Sequence, residues 1–160
     1  MIEIKKALLP KDKKRLNYLD QLCFPEFQDQ VYEESWKKYQ NFILLVKNKP
    51  VGYVSVQPNT GLYSYKTERH ERRIDSLHLT SIGVIPQFRK RRLGELLMAF
   101  ALSFAKLGHF KSINATTRTS NKPMQFLFKK FGFKVTKKIK SFYPDGETAF
   151  VEELFLKTRV

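Results

Sequence analysis

Ile2 and Ile4 alternate with polar neighbours, the period-two pattern of a short half-buried strand. Pro10 then opens a helix with Leu16, Leu19 and Leu22 at helical spacing. Phe24-Pro25 ends it, because the residue before a proline is pushed out of the α region. A second helix is expected over residues 29–39. Two compact apolar runs, 42–46 and 51–56, flank Asn48-Lys49-Pro50 and predict a β-hairpin. Residues 59–73 are polar and basic without either period, and read as a loop. A strand over 77–85 stops at Pro86, and a basic loop over 87–92 leads to an apolar-periodic helix, Leu93–Leu107, closed by Gly108 as C-cap. A strand over 113–117 follows. Ser120 or Asn121 can cap the next helix, with Pro123 in its first turn and Gly132 at its end. Strands over 133–142 and 148–156 are joined by the turn Pro144-Asp145-Gly146. The order is β-α-α-β-β-β-α-β-α-β-β, with no repeat and no linker.

Composition narrows the class. The chain has 160 residues, about the size of one domain, and 42 % hydrophobic content excludes a disordered chain. One cysteine, Cys23, cannot make a disulfide framework, and no Cys/His cluster has zinc-ligand spacing. The longest apolar stretch is interrupted by Gly94, Glu95, Ser103 and Lys106, too short and too polar to span a bilayer. The N-terminus has no signal-peptide core, so the expected location is cytoplasmic. The formal charge of +15 points to a polyanionic partner, a phosphate-bearing ligand or an acidic substrate; a basic surface kept for solubility is the plainer alternative.

The chemistry concentrates in two segments. In the first, a strand delivers four consecutive cations, Arg89, Lys90, Arg91 and Arg92, onto the start of a helix at Leu93-Gly94. The first N–H groups of a helix have no intrahelical acceptor and its dipole places about +0.5 charge there, so the arrangement can cradle an anion. A solvated basic turn is the competing reading. The second segment runs from Asn121 through Lys122, Pro123, Met124, Gln125, Phe126, Leu127, Phe128, Lys129, Lys130 and Phe131 to Gly132-Phe133. Alone it is an amphipathic helix with a glycine at its exit.

Together the two segments resemble the GNAT superfamily of acetyl-CoA-dependent N-acetyltransferases. Val84-Ile85-Pro86 precedes Arg89-Lys90-Arg91-Arg92-Leu93-Gly94, which is similar to that family's pyrophosphate loop, Gln/Arg-x-x-Gly-x-Gly/Ala. Arg92 stands at the first glycine, a position an arginine tolerates if its φ is negative. Asn121, Leu127, Lys130 and Gly132-Phe133 match the downstream signature, with Met124 and Phe128 as mismatches. The resemblance implies a single N-acetyltransferase domain over 1–160. Its fold class would be α/β (α+β), a mixed, mostly antiparallel sheet of about seven strands flanked by four helices and splayed between strands 4 and 5. It also implies acetyl-CoA held by Ile82, Gly83, Val84, Arg89–Arg92, Leu93, Gly94, Asn121, Phe128 and Lys130.

Within the superfamily the chain looks most like enzymes that acetylate protein N-termini, including the ribosomal-protein alanine acetyltransferases. Cys23-Phe24-Pro25 resembles their substrate-side loop, and Phe142-Tyr143-Pro144-Asp145-Gly146-Glu147-Thr148-Ala149 their last turn. Phe24, Pro25 and Tyr143 are thereby expected to touch the acceptor, and Tyr143 is also counted among the catalytic residues. The resemblance assigns the backbone N–H of Val84 to the oxyanion. The family's acidic tyrosine aligns with Phe128 and the base of its nearest members with Thr116, neither of which can serve. His78 is then the candidate base, against a structural histidine as the alternative; His70 and His109 rank below it.

A weak base suits a low-pKa amine. An α-amine at ~7.7–8.0 is neutral to about a tenth at pH 7, a lysine at ~10.4 to less than about one part in a thousand. The expected acceptor is a peptide or protein N-terminus. A small amine (polyamine, amino sugar, antibiotic) and a catalytically weak acyl-CoA-binding or RNA-associated module are the alternatives. Phosphates of the cofactor can use Arg89–Arg92, Lys129 and Lys130. Arg69, Arg72, Arg73, Lys134, Lys137, Lys138 and Lys140 remain, and suggest an acidic substrate or work near RNA, as on the ribosome. No membrane partner is expected, and the protein would act as monomer or homodimer. The 59–73 loop is expected to shape substrate choice.

Overall fold

The structure, a computed structural model, describes residues 1–27, 35–59 and 75–157. Its strands are β1 (Ile2–Lys6), β2 (Gln40–Val46), β3 (Lys49–Asn59), β4 (Ser76–Val84), β5 (Ser112–Arg118), β6 (Lys134–Ile139) and β7 (Ala149–Phe155). The α-helices among the described residues are α1 (Lys13–Cys23), α2 (Leu93–Leu107) and α3 (Lys122–Lys130). The seven strands form one sheet in the order β1-β2-β3-β4-β5-β7-β6. Ladders β1–β2, β2–β3, β5–β7 and β6–β7 are antiparallel, and β4–β5 is parallel. That parallel pairing is confined to Ser76–Ser112, Leu77–Ile113 and His78–Asn114, which is the splay expected between strands 4 and 5. The chain divides into two compact units, Met1–Gln57 with Leu79–Ala101 and Pro58–His78 with Leu102–Val160.

In the first unit, α1 buries Leu16, Leu19 and Cys23, with Leu22 only half-buried. The apolar stripe therefore ends on the cysteine rather than on the third leucine. Helix α1 starts at Lys13, three residues after Pro10, because Asp12 turns back to accept the Leu8 N–H at 2.9 Å. Five consecutive residues of β2, Asn41 to Leu45, are buried, as in a strand covered on both faces. The hairpin turn falls at Lys47-Asn48, both with positive φ (49° and 64°), not at Asn48-Lys49-Pro50. Such a two-residue turn matches strand twist, and Pro50 sits in β3 beside the register shift at Leu44/Leu45, where a missing N–H is tolerated. Of the helix expected over 29–39, residues 29–34 lie outside the described residues, and Ser35–Lys38 forms a single 3-10 turn.

In the second unit, β5 is buried from Ser112 to Ala115 and lies between β4 and β7 in the sheet order. Helix α2 ends in a Schellman motif: Phe110 N–H bonds Ala105 O (3.0 Å) and His109 N–H bonds Lys106 O (3.1 Å). The left-handed residue is His109 (φ 59°), one past the expected Gly108. Gly108 is needed for a different reason, since a Cβ there would lie 2.6 Å from the Phe110 ring. Asn121, rather than Ser120, caps α3 by accepting the Met124 N–H at 3.2 Å. Strand β6 is shorter than expected, is exposed over Lys134–Lys138, and forms the sheet's edge. Its lysines fit an edge that must not pair further.

Candidate active site

The basic loop lies in the first unit. Pro86–Phe88 makes a 3-10 turn, Arg89 to Arg92 follow, and α2 begins at Leu93, with Leu96 N–H reaching Arg92 O at 3.2 Å as a first intrahelical bond. Arg92 has φ 62° and Lys90 φ 59°, so the negative φ required of an arginine at that position is not what the loop adopts. Two left-handed residues within three turn the chain tightly onto the helix N-terminus, and the backbone forces this despite the side chains. The cations are also partly committed. Arg89 donates from Nε to Val84 O (2.9 Å) and from Nη2 to Cys23 O (3.1 Å). Arg91 lies over the Phe88 ring at 4.8 Å, and Arg92 pairs with Glu95 at 3.1 Å. Arg89 thus ties the loop to the end of β4 and to α1. The exposed side chains of Lys90, Arg91 and Arg92 beside a 15-residue helix's first turn suit a pyrophosphate.

At the end of β4, Ile82 and Gly83 are half-buried and Val84 is buried. A Cβ on Gly83 would lie 2.9 Å from both Cβ and Sγ of Cys23 and 3.2 Å from the Phe24 ring, so Gly83 lets the end of α1 approach the strand. Phe24 is half-buried against that glycine, while Pro25 is exposed at the start of a 3-10 turn. Burial pushes the Cys23 thiol up to about 12, with Arg89 opposing and Asp20 adding to the rise. Sequence reasoning missed the neighbouring network. Fully buried Tyr53 donates its hydroxyl to Asp20 at 2.6 Å, within 2.6 Å of the Ser81 hydroxyl as well. Burial raises the Asp20 carboxyl, and the Tyr53 hydrogen bond partly offsets it. Nothing in the spacing of residues 20, 53 and 81 announces this contact.

His78 and Tyr143 lie in the second unit. His78 is half-buried, and its Nδ1 sits 2.7 Å from Asn114 Oδ1. Burial lowers the imidazole pKa from its ordinary value, and the Asn114 hydrogen bond works against that shift. Residues paired in register share a sheet face, which puts Asn114, Thr116 and Arg118 of β5 on one face with His78. Glu153, Val151 and Ala149 of β7 are their register partners. Arg118, with its side chain 12 % exposed, donates to Asp145 at 2.7 Å, lies 3.5 Å from Glu147 and stacks 4.0 Å over the Tyr143 ring. Gly146 (φ 86°) donates its N–H to Tyr143 O at 2.8 Å, closing the predicted turn. Ser120 donates its hydroxyl to the Glu147 carboxylate. Arg118, absent from the sequence-derived set, is what fixes Tyr143.

The α3 residues separate by role. Asn121 is spent on the helix cap, Lys130 is exposed at the helix end, and Phe128 is only 2 % exposed, stacked on Phe133 with centroids 5.0 Å apart. His109 is the αL residue after α2, and His70, Arg69, Arg72, Arg73 and nearly all of the 59–73 loop lie outside the described residues. Among the described residues there is no group of three His, Cys, Asp or Glu able to hold a metal ion, and no helix long and apolar enough to cross a membrane.

Residues 13–133 match the model of the acetyltransferase (GNAT) family. The chain is 30 % identical over 127 residues to an N-alpha-acetyltransferase of Sulfolobus acidocaldarius, covering 75 % of this chain and 72 % of the relative. It is 28 % identical over 137 residues to an N-alpha-acetyltransferase of Sulfurisphaera tokodaii, covering 83 % and 81 %. In fold it is similar to the ribosomal-protein-S18-alanine N-acetyltransferase of Escherichia coli, with a TM-score of 0.79 at 20 % identity, covering 100 % of this chain and 97 % of that one.

Proposed function

The chain belongs to the GNAT acetyltransferase family, and from that premise we propose that it transfers acetyl from acetyl-CoA to the N-terminal α-amine of a peptide or protein. The observation that carries the reading is the acceptor side itself. His78, kept neutral by burial, is its base, and the position where a stronger base would stand holds Thr116. A base of that strength suits an amine that is already partly neutral at pH 7, which an α-amine is and a lysine is not. The similarity to two N-alpha-acetyltransferases over most of the chain supports the same acceptor.

When bound, acetyl-CoA supplies a thioester whose carbonyl carbon the amine attacks. Backbone N–H groups at the start of α2, with the side chains of Lys90, Arg91 and Arg92, would hold its phosphates. The backbone N–H of Val84 would donate to the carbonyl oxygen. His78 accepts the proton that leaves the amine nitrogen. Tyr143, fixed by Arg118, lies along the peptide beside its first residues. Phe128 has no proton to give, so this position would supply no acid to the leaving thiolate. Phe24 and Pro25 are proposed to touch the acceptor, and the reaction to take place in the cytoplasm.

A second reading concerns where the enzyme works. Residues 119–144 carry seven lysines and no acidic residue, and six of the seven lie on α3 and β6 with exposed side chains. We propose that this basic segment meets RNA, as it would beside a ribosome. Binding of a single-stranded RNA oligonucleotide that weakens steeply with added salt supports this, and salt-insensitive or absent binding removes it.

The test of the activity incubates purified protein with acetyl-CoA and three acceptor sets: peptides with free N-termini, lysine peptides with blocked N-termini, and polyamines. Released CoA thiol reports turnover, mass spectrometry locates the acetyl group, and calorimetry follows acetyl-CoA binding. Turnover on free N-termini is the expected result. Efficient lysine or polyamine acetylation with free N-termini untouched would overturn the acceptor, and cofactor binding without any turnover would favour a sensor.

A further inference from the structure

His78, Asn114 and Glu153 form one cross-strand row on β4, β5 and β7, each in register with the next. Register partners share a face, so the three side chains rise from the sheet side by side. Asn114 is 2 % exposed and Glu153 7 %, so both polar side chains of the row are held away from water. The contact between His78 Nδ1 and Asn114 Oδ1, at 2.7 Å, decides the tautomer. An amide oxygen only accepts, so Nδ1 must carry the proton, and in a neutral imidazole the other nitrogen then holds the lone pair. The orientation of the amide is itself constrained. A carboxylate at Glu153 accepts and does not donate, and so favours the Asn114 NH2 group on its side and Oδ1 on the histidine's side.

We infer that Asn114, oriented by Glu153, is a positioning residue that fixes His78 in the Nδ1–H tautomer and makes Nε2 the atom that accepts the amine's proton. The inference rests on His78 as the base of the proposed reaction. In that step the proton passes from the amine nitrogen to Nε2 while the nitrogen's electron pair forms the bond to the acetyl carbon. The resulting imidazolium keeps its Nδ1–H bond to Asn114, whose amide oxygen favours the new positive charge. A free imidazole would divide its population between tautomers, and only one presents a lone pair at Nε2. The row therefore removes a choice that would otherwise idle part of the enzyme.

The test is imidazole nitrogen NMR on the full chain with 15N-labelled histidine, near pH 8, joined to steady-state kinetics. The chain has three histidines, so His78→Ala assigns the resonance by its loss. The expected spectrum shows His78 protonated at Nδ1. Asn114→Leu removes the acceptor, moves population towards the Nε2–H form, and lowers kcat by about tenfold to a hundredfold, part of the ~10²–10⁴ that a positioned base contributes. The KM for acetyl-CoA stays within twofold on an order-of-magnitude view, which a general loss of folding would not allow. Should Asn114→Leu fail to fold, Glu153→Gln frees the amide to turn over and is expected to give a mixture of tautomers with a smaller fall in kcat. An Nε2–H tautomer in the wild type overturns the inference, as does a variant in which tautomer and kcat are both unchanged. Full activity of His78→Ala with the Nδ1–H tautomer intact instead removes His78 as base, so the two failures are told apart.

Discussion

The guanidinium carbon of Arg118 lies 4.0 Å from the centroid of the Tyr143 ring, and one of its nitrogens lies 2.7 Å from Asp145 in the same turn. A single β5 side chain therefore sets the position of the β6–β7 connection. The Glu147 backbone N–H, bonded to Asp145 at 3.0 Å, and Arg118 together hold the Asp145 carboxyl below its ordinary pKa, so it stays charged across the neutral range. Replacing Arg118 by Gln removes both the stacking and the ion pairs. The KM for the acceptor peptide should rise about five- to tenfold, while the KM for acetyl-CoA stays within about twofold. Kinetics with each substrate varied in turn would show it. Equal changes in both constants would mean that Arg118 does not act through Tyr143.

Arg92 is an L-residue held at φ 62° where the related loop pattern has glycine. A left-handed conformation costs a non-glycine residue roughly 1–2 kcal/mol, and the compensating ion pair to Glu95 leaves the arginine 81 % exposed, so it returns little. Arg92→Gly trades that strain against the ~0.5–1 kcal/mol entropic cost of glycine. The melting temperature should rise by about 1–3 °C. A fall would show that Arg92 contributes more through its side chain than its backbone costs.

Gly83 faces the opposite constraint. An added methyl group would lie 2.9 Å from the Cys23 Cβ and Sγ and 3.2 Å from the Phe24 ring, and the Cβ belongs to a helix end that cannot swing aside. Gly83→Ala should lower the unfolding free energy by about 1–3 kcal/mol, the usual cost of overpacking. Urea denaturation measures this directly, and an unchanged midpoint would mean that α1 shifts without resistance.

Much of this was legible in the chain, and the misses have physical causes. The strand-loop-helix at residues 77–107 was readable because period, proline and glycine agree there. The Asn121 cap and the Pro144-Asp145-Gly146 turn were readable because both rest on local chemistry. Sequence starts the hairpin turn one residue late because Pro50 looks like a turn residue, yet lies at a strand irregularity. Sequence points to Gly108 as the C-cap, but its lack of a Cβ serves Phe110, and His109 takes the positive φ. What sequence could not reveal were contacts set by tertiary packing: Tyr53 with Asp20 across 33 residues, His78 with Asn114 across 36, and Arg118 with Asp145 across 27. Such pairs exist only once helix, strands and turns are packed together.

The Cys23 thiol, pushed up to about 12 by burial, should be inert in the folded protein. At pH 8 only about one thiol in ten thousand would be ionised, against roughly a quarter for a free cysteine at ~8.5. Alkylation by iodoacetamide at pH 8 should be slower in the native protein than in urea by at least about a hundredfold. Comparable rates in the two states would show that the end of α1 opens freely.

Asp20 supplies a pH dependence whose sign follows from its surroundings. Burial raises its carboxyl pKa above 3.8, the Tyr53 hydroxyl offsetting only part of the rise, so the folded protein holds this proton to higher pH than the unfolded chain does. Its contribution is therefore complete below the ordinary carboxylate value and declines as pH climbs through the raised one. Asp20→Asn keeps an acceptor for the Tyr53 hydroxyl without a charge to bury. The difference in urea midpoint, variant minus wild type, should accordingly grow in the variant's favour between about pH 3.5 and 7. Tyr53→Phe acts from the other side: it strips the buried carboxylate of its donor and should cost about 1–3 kcal/mol at pH 7. A variant-minus-wild-type difference for Asp20→Asn that is flat, or that falls with pH, would show that the carboxylate finds enough compensation in the fold to ionise as it does in the unfolded chain.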